Sequence, residues 1–585
     1  MSGFLCSSVI LIAGEGKTSD SKENPDKQEI TSLRTQLAAQ QEQIDQLRKE
    51  LQTQRALILR SLENPLVGGE RSLQPSGVSL PVRDKPPLRP SGGGEFSSAG
   101  SSTFKTSTLP IPDPREIASL SPVIPAAGAA PVASPSAQSI PALPDSEPKP
   151  SPLSLGIGST QITPVGFMDF TLISRSKNVG SGLGTNFGAI PFNNSVDGNL
   201  SEYRLSAQNS RLGARLDTKV LGLNVLGYLE TDFLGYTPGN AAVTTNSDSL
   251  RLRLYWVKLR KSKFEMLAGQ SWSMLTPNRK GISPLPADLF LTQDVDPNIQ
   301  VGMTWARSPQ VRLMYHPRET VTLGLSLEAA EQYAGGSAGG GTITLPSALV
   351  PSYSEQLNMG SSGLGVPSPH QDLIAKVAFD PKVADRSLHI ELAALWRRFE
   401  FYNPLSHRSF KTAGGGGSAN FNFELLKNFR LVANTFYSDG GGRYIFGQGP
   451  DLIIRGDGSP SLVHAYSTVD GFEYQARPKT LFFAFYGGAY FHRNTAIDPD
   501  TGTPVGYGYA GSPSGHNRAI QEATAGFAHT FWRSPNYGAL QFMTQYSYVF
   551  RHPWYVAPDQ PGQANVNMIY LNLRYTLPGA PPSEK

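Results

Sequence analysis

Cysteine is almost absent from this chain, with Cys6 the only one in 585 residues. A large exported protein of that kind cannot rely on disulfides and must be held together by packing and hydrogen bonds. Charge is sparse as well. Asp, Glu, Lys and Arg make up 17% of the chain and the formal net charge is only +4, without the clustered basic surface that nucleic-acid binding needs. Long apolar runs are missing too, since no segment offers the roughly 18 apolar residues of a membrane helix. The longest candidate, Phe4 to Ala13, is too short to span. It reads as the apolar core of a signal peptide over residues 1–16, with small residues at Gly14 and Gly16 for cleavage, although no basic residues precede it.

Catalytic signatures are absent in the same way. His389, His464, His492, His516 and His529 are scattered, with no HExxH spacing, no nucleophile elbow and no glycine-rich phosphate loop opening a helix. Gly414 to Gly417 reads as a glycine run in a strand or bend. No enzyme activity, metal or cofactor is therefore expected.

What is present divides the chain unevenly. Ile30, Leu37, Ile44, Leu51 and Ile58 recur every seven residues, with Leu33, Gln40, Leu47, Gln54 and Ser61 at the second seam position. Sustained over more than four heptads, this pattern predicts a coiled coil over residues 28–63. The mixed seam leaves the strand number open, a trimer among the possibilities. At about 1.5 Å per residue the helix would be roughly 50 Å long. Residues 64–153 are rich in Pro, Ser, Gly and Ala, with few aromatics and no periodicity, so they cannot bury enough apolar surface to order themselves and read as a linker.

From Ile162 onward the period changes to two. Leu250, Leu252, Leu254 and Trp256 alternate with Arg251, Arg253 and Tyr255; Val321, Leu323, Leu325 and Leu327 alternate with Thr322, Gly324 and Ser326. Leu481, Phe483 and Phe485 are read as the apolar face of another strand, and Ile569, Leu571, Leu573 and Tyr575 as that of the last. About sixteen such strands can be placed in residues 154–585. Their connections alternate: short turns fall near Leu221, Lys261, Pro317, Pro381, Lys427, Pro478 and Pro535, and long loops lie between them. Only the link after Asn403 is short where a long one is due. Tyr228, Tyr255, Trp256, Trp305, Trp396, Tyr402, Trp532, Tyr546, Tyr548 and Trp554 fall near strand ends, as an interfacial aromatic belt requires. The fold class is all-β, a transmembrane antiparallel barrel with short turns, both barrel ends and the coiled coil on the periplasmic side.

By the same parity Arg211, Arg215, Arg251, Arg253, Gln310, Arg312, Arg397 and Arg574 face the lumen, with a parity shift near Asn209 that moves Arg204. Guanidinium groups in a confined channel attract anions and grip carboxylates in a fork. The segment between Lys263 and Arg312 carries Pro277, Pro284, Pro286 and Pro297 and an acidic set, Asp288, Asp294 and Asp296. Folded inward, it would face those arginines across a constriction. The competing readings are an ordinary surface loop, and arginines that pair with interior acids and merely stiffen the wall.

Several motifs then point to a family. Ser210 to Ala214, Gly227 to Phe233, Leu250 to Arg253, Ala268 to Trp272 and Arg307 to Arg312 resemble the DcaP-like trimeric porins of bacterial outer membranes. The resemblance is best over the first six strands and includes the N-terminal heptads. It implies a sixteen-stranded homotrimer embedded in outer-membrane lipid, a periplasmic coiled coil, and passive uptake of small anions such as dicarboxylates. The chain departs from the family in its long Pro-rich linker, in glycine-rich loop insertions at Gly335 to Gly341 and Gly440 to Gly442, and in a polar tail from Pro578 to Lys585. The rival function is a structural tether or adhesin, anchored by the barrel, whose coiled coil and linker engage cell-wall material.

Overall fold

The computed structural model describes residues 151–235, 249–285, 300–337, 339–360 and 366–578. The coiled-coil residues Ile30, Leu33, Leu37, Ile44, Leu47, Leu51 and Ile58 lie outside them, as do the signal segment, nearly all of the linker, and Asp288, Asp294 and Asp296.

Period-two alternation produces sixteen long strands. They are β1 (Thr160–Arg175), β2 in two pieces (Glu202–Ser206 and Arg211–Val220), β3 (Leu223–Asp232) and β4 (Arg251–Lys261). Next come β5 (Phe264–Trp272), β6 (Arg307–Arg318), β7 (Val321–Glu328), β8 (Asp372–Phe379), β9 (Arg386–Asn403) and β10 (Arg408–Leu426). The last are β11 (Phe429–Asp439), β12 (His464–Arg477), β13 (Thr480–Phe491), β14 (Asn517–Ser534), β15 (Gly538–Pro553) and β16 (Ala564–Thr576). Each pairs antiparallel with the next, and β16 closes on β1 from Phe167↔Thr576 to Arg175↔Met568. Closure leaves no free strand edge, the condition for backbone inside a bilayer.

Turns and loops alternate as expected. The β2–β3 turn is Leu221–Gly222 with φ of 50° and 75°, the left-handed pair of a type I′ hairpin. The short β9–β10 link has a structural explanation: these two strands are 18 and 19 residues long, and β10 pairs with β11 only as far as Gly415↔Asp439. The hairpin itself projects past its neighbour where other strand pairs have a loop.

Five of the long loops turn inward over their described residues. Phe187 and Ile190 from β1–β2, Met274 and Leu275 from β5–β6, and Ile343 and Leu349 from β7–β8 share one apolar core. Ile445 and Ile453 from β11–β12 and Tyr507 from β13–β14 join it. Outside, Leu212, Leu229, Leu252, Val257, Leu313, Leu325 and Leu573 are exposed, an apolar band facing hydrocarbon. Among the described residues no helix is long and apolar enough to cross a membrane.

The inward and outward faces read from the sequence are reversed at two places. Between Glu230 and Thr231 the β3–β4 register slips, so that Glu230 opposes Leu254 and Thr231 opposes Leu252. The extra residue is a β-bulge, and it turns Leu254 and Trp256 inward while Tyr255 turns out, against the sequence parity. In β13 it is Leu481, Phe483 and Phe485 that point inward, and Phe482 and Tyr486 that face out. The aromatic belt loses Trp256 to the interior through that bulge, Tyr228 because it shares the inner face of β3 with Glu230, and Trp305 because it lies on the inward β5–β6 segment.

Candidate functional site in the barrel lumen

The lumen wall across β1–β4 and β16 is a ladder of buried charge. Glu230 and Asp232, two residues apart on β3, project to the same side. Arg253 donates to both, Nε to Glu230 at 2.8 Å and Nη1 to Asp232 at 2.7 Å. Arg251 grips Asp232 through Nε and Nη2, at 3.0 and 2.7 Å. Arg211, fully buried, sits 3.5 Å from Glu230. Three arginines thus share two carboxylates. Arg211 and Arg574 both lie over the Phe167 ring, at 5.1 and 4.1 Å, and Arg574 donates to Asp169 at 2.8 Å. Asn572 and Thr171 complete the shell of Asp169.

Arg397 is remote from that ladder. It bridges Asp372 on β8 at 3.0 Å and Asp451 in the β11–β12 loop at 2.6 Å, and donates to the carbonyl of Glu331 at 2.7 Å. Arg312 is held by Gln310 at 2.8 Å and by the carbonyl of Trp272 at 2.6 Å. Arg215 pairs with Asp217 at 2.7 Å near the turn end, half in solvent. Every arginine named from the sequence is on the inner face. They form separate groups rather than one ring.

The β5–β6 segment supplies the second half of the geometry. At its start, Asn278 donates through its backbone N–H and its side chain to Glu391, and the Lys376 ammonium bridges Glu391 and the Thr276 carbonyl. Arg279 forks onto Glu473 with both bonds at 2.9 Å. Towards its end, the Val301 N–H donates to Glu522 Oε2 at 2.8 Å, Gln300 donates to the Glu522 carbonyl, and Thr304 bonds Asn434. Glu522 belongs to β14, on the wall facing β5 in the closed order. The described parts of the segment therefore reach from one wall of the lumen to the other.

Gly302 makes that contact possible. Its φ is +95°, and a Cβ there would lie 2.2 Å from the Thr468 carbonyl oxygen and 2.8 Å from that of Gly488. Gly487, with the Val301 oxygen 2.0 Å from its own Cβ position, supplies the flat wall. Sequence parity did not mark Glu522, Glu473 or Glu391 as loop anchors. The available signal was an acid on the inner face of a strand.

The long loops are stitched together around His516. Its Nδ1 accepts from the Gly508 N–H at 3.0 Å, its Nε2 donates to the Thr342 carbonyl at 2.8 Å, and its ring stacks on Tyr507 at 4.6 Å. Both ring nitrogens are engaged as a neutral imidazole requires, and burial pushes the pKa down from 6.5 to about 4. The unfolded form takes up a proton first as pH falls. Stability from this contact is complete above 6.5 and lost on the way to 4, about 3 kcal/mol in all. Amide protection factors at Gly508 and Thr344, taken relative to the intrinsic exchange rate at each pH, should fall between pH 7 and pH 4; equal protection factors at the two pH values would contradict the assignment.

No family model matches the sequence, and no curated relative does. Solved structures do. The outer membrane channel DcaP of Acinetobacter baumannii aligns with a TM-score of 0.51 at 19% identity, covering 72% of this chain and 99% of that one. The barrel has the DcaP fold. An anion-selective porin from Comamonas acidovorans aligns at 0.40 and 11% identity, over 72% of this chain and all 100% of its own. Pseudomonas putida OprB aligns at 0.39 and 11%, over 71% and 94%. With its apolar outer band and polar inner face, the DcaP-type barrel is a transmembrane barrel of the outer-membrane kind.

Proposed function

We propose that this DcaP-type barrel is an outer-membrane channel for passive diffusion of small anions, dicarboxylates among them. It works as a trimer, with the heptad segment and the Pro-rich linker on the periplasmic side. The observation that carries the reading is the concentration of guanidinium on the inner wall. Arg211, Arg251 and Arg253 converge on Glu230 and Asp232, and a cluster of that kind in a confined channel favours anions. The β5–β6 segment crossing to Glu522 narrows the path and brings solutes against that wall. Within the segment, Asp288, Asp294 and Asp296 are the groups proposed to set a transverse field.

The test is the reversal potential of the full chain in a planar bilayer under a salt gradient. Anion-selective steps in groups of three are expected. Glu230→Gln, which removes one of the two shared carboxylates, should raise anion preference, and Arg253→Ala should lower it. Cation selectivity in the unmodified protein would overturn the reading. A folded barrel with no conductance would favour the tether.

A further inference from the structure

At the long-loop end of β11–β13 the register sets Tyr437 beside Tyr466 and Tyr466 beside Tyr490. All three point outward, because alternation buries their chain neighbours Phe436, Ala465 and Phe491 on the inner side. A row of tyrosines on the outer face marks the boundary between hydrocarbon and headgroups. Two residues further along each strand, about 7 Å on, stands a second row. It reads Asp439, His464, His492: Asp439 lies opposite His464, and the His492 N–H donates to the His464 carbonyl at 2.9 Å. This row therefore sits at headgroup level, in reach of water, and the side chains of His464 and Asp439 are 51% and 44% exposed. His464 and His492 belong to no sequence motif. The β12–β13 pairing alone makes them neighbours.

The geometry within the row suits a metal ion. His464 donates through Nδ1 to Asp439 Oδ1, which fixes the tautomer and leaves Nε2 with its lone pair. The His464 and His492 rings lie 5.7 Å apart at 83°. With metal–nitrogen bonds of about 2.0–2.1 Å, two imidazoles on one ion have centroids about 5–6 Å apart. Tyr490 packs edge-on against His492 at 4.9 Å and supports its ring. Arg493, the cation next in sequence, lies over the Trp554 ring at 5.7 Å. Imidazole ligands suit Zn²⁺, Ni²⁺ and Cu²⁺, whereas Mg²⁺ and Ca²⁺ take oxygen. Among the described residues no three His, Cys, Asp or Glu side chains make up a complete metal shell, so water takes the remaining positions.

We propose that His464 and His492 bind one divalent transition-metal ion of the Zn²⁺ class at the outer rim of the barrel, with Asp439 as the positioning residue behind His464. The ion ties β12 to β13 at the place where the β11–β12 loop ends and the β13–β14 loop begins. The site lies on the outer face and is independent of what passes through the lumen.

The test is calorimetric titration with Zn²⁺ of the full chain in detergent, purified without a polyhistidine tag and stripped of metal. One Zn²⁺ per chain is expected, lost in His464→Ala and in His492→Ala while heat-modifiable migration stays unchanged. Asp439→Asn should weaken binding about 10- to 100-fold. His407→Ala, in the β9–β10 link at the same end of the barrel, is the control and should bind as the unmodified chain does. With Cu²⁺ as the probe, electron paramagnetic resonance should show two equatorial nitrogens in the unmodified chain and in Asp439→Asn, and one in either histidine variant. No binding by the unmodified chain, full binding after loss of either histidine, or equal loss in His407→Ala would overturn the site. A nitrogen lost in Asp439→Asn would overturn the positioning role.

Discussion

Gly302→Val is expected to widen the channel while leaving the barrel intact. Valine at φ +95° is strained by itself, and its Cβ would fall 2.2 Å from the Thr468 carbonyl oxygen, a backbone atom that cannot move aside. Overpacking of this kind costs about 1–3 kcal/mol before the backbone strain is added. Opposing it are the Val301 N–H to Glu522, the Gln300 amide to the Glu522 carbonyl, Thr304 to Asn434 and the Trp305 N–H to the Tyr444 carbonyl, with Arg279 on Glu473 at the other end of the segment. The segment should leave the β12–β14 wall, and single-channel conductance should rise. Heat-modifiable migration would confirm that the sixteen strands remain paired. Unaltered conductance in a folded variant would mean that the segment does not limit the path.

Arg397→Ala should be the most destabilising single change on the inner wall. Removing a buried cation leaves Asp372 and Asp451 in a site that excludes water with Arg443, 3.5 Å from Asp372, to balance both, and Tyr444, which donates to Asp372 at 2.8 Å, cannot neutralise either. Such a break typically costs about 3–5 kcal/mol. The loss should concentrate in the β11–β12 loop, which Arg397 ties to β8 and to the β7–β8 loop. Limited proteolysis between Gly440 and Val463 should accelerate strongly, and the apparent melting temperature in detergent should fall. Arg215→Ala is the control: its pair with Asp217 is half exposed, and the expected change is under about 1 kcal/mol. Equal behaviour of the two variants would refute the burial argument.

The inner position of the arginines was legible because side-chain parity is local: two residues along a strand return to the same face. The β2 parity shift was legible too, since Ser206 and Arg211 both face inward across a break at residues 207–210. The β4 bulge was not. Nothing within Leu250 to Trp256 announces that Arg253 is an extra residue, because the slip is a property of the pairing with Glu230 on another strand. The identity of each arginine's partner was hidden for a related reason. Asp451 reaches Arg397 from a loop whose path depends on everything packed beneath it.

Alternation of apolar residues, a rhythm of short turns and long connections, and the lack of a spanning helix together determined a closed antiparallel barrel with its termini on the turn side. These are properties of nearest neighbours in sequence, and lipid imposes closure on any such chain by penalising a free edge. The tertiary structure alone decided which carboxylates the lumen arginines hold and where the β5–β6 segment lands. Those outcomes depend on distances across the lumen and on strand register, both set by contacts between residues hundreds of positions apart.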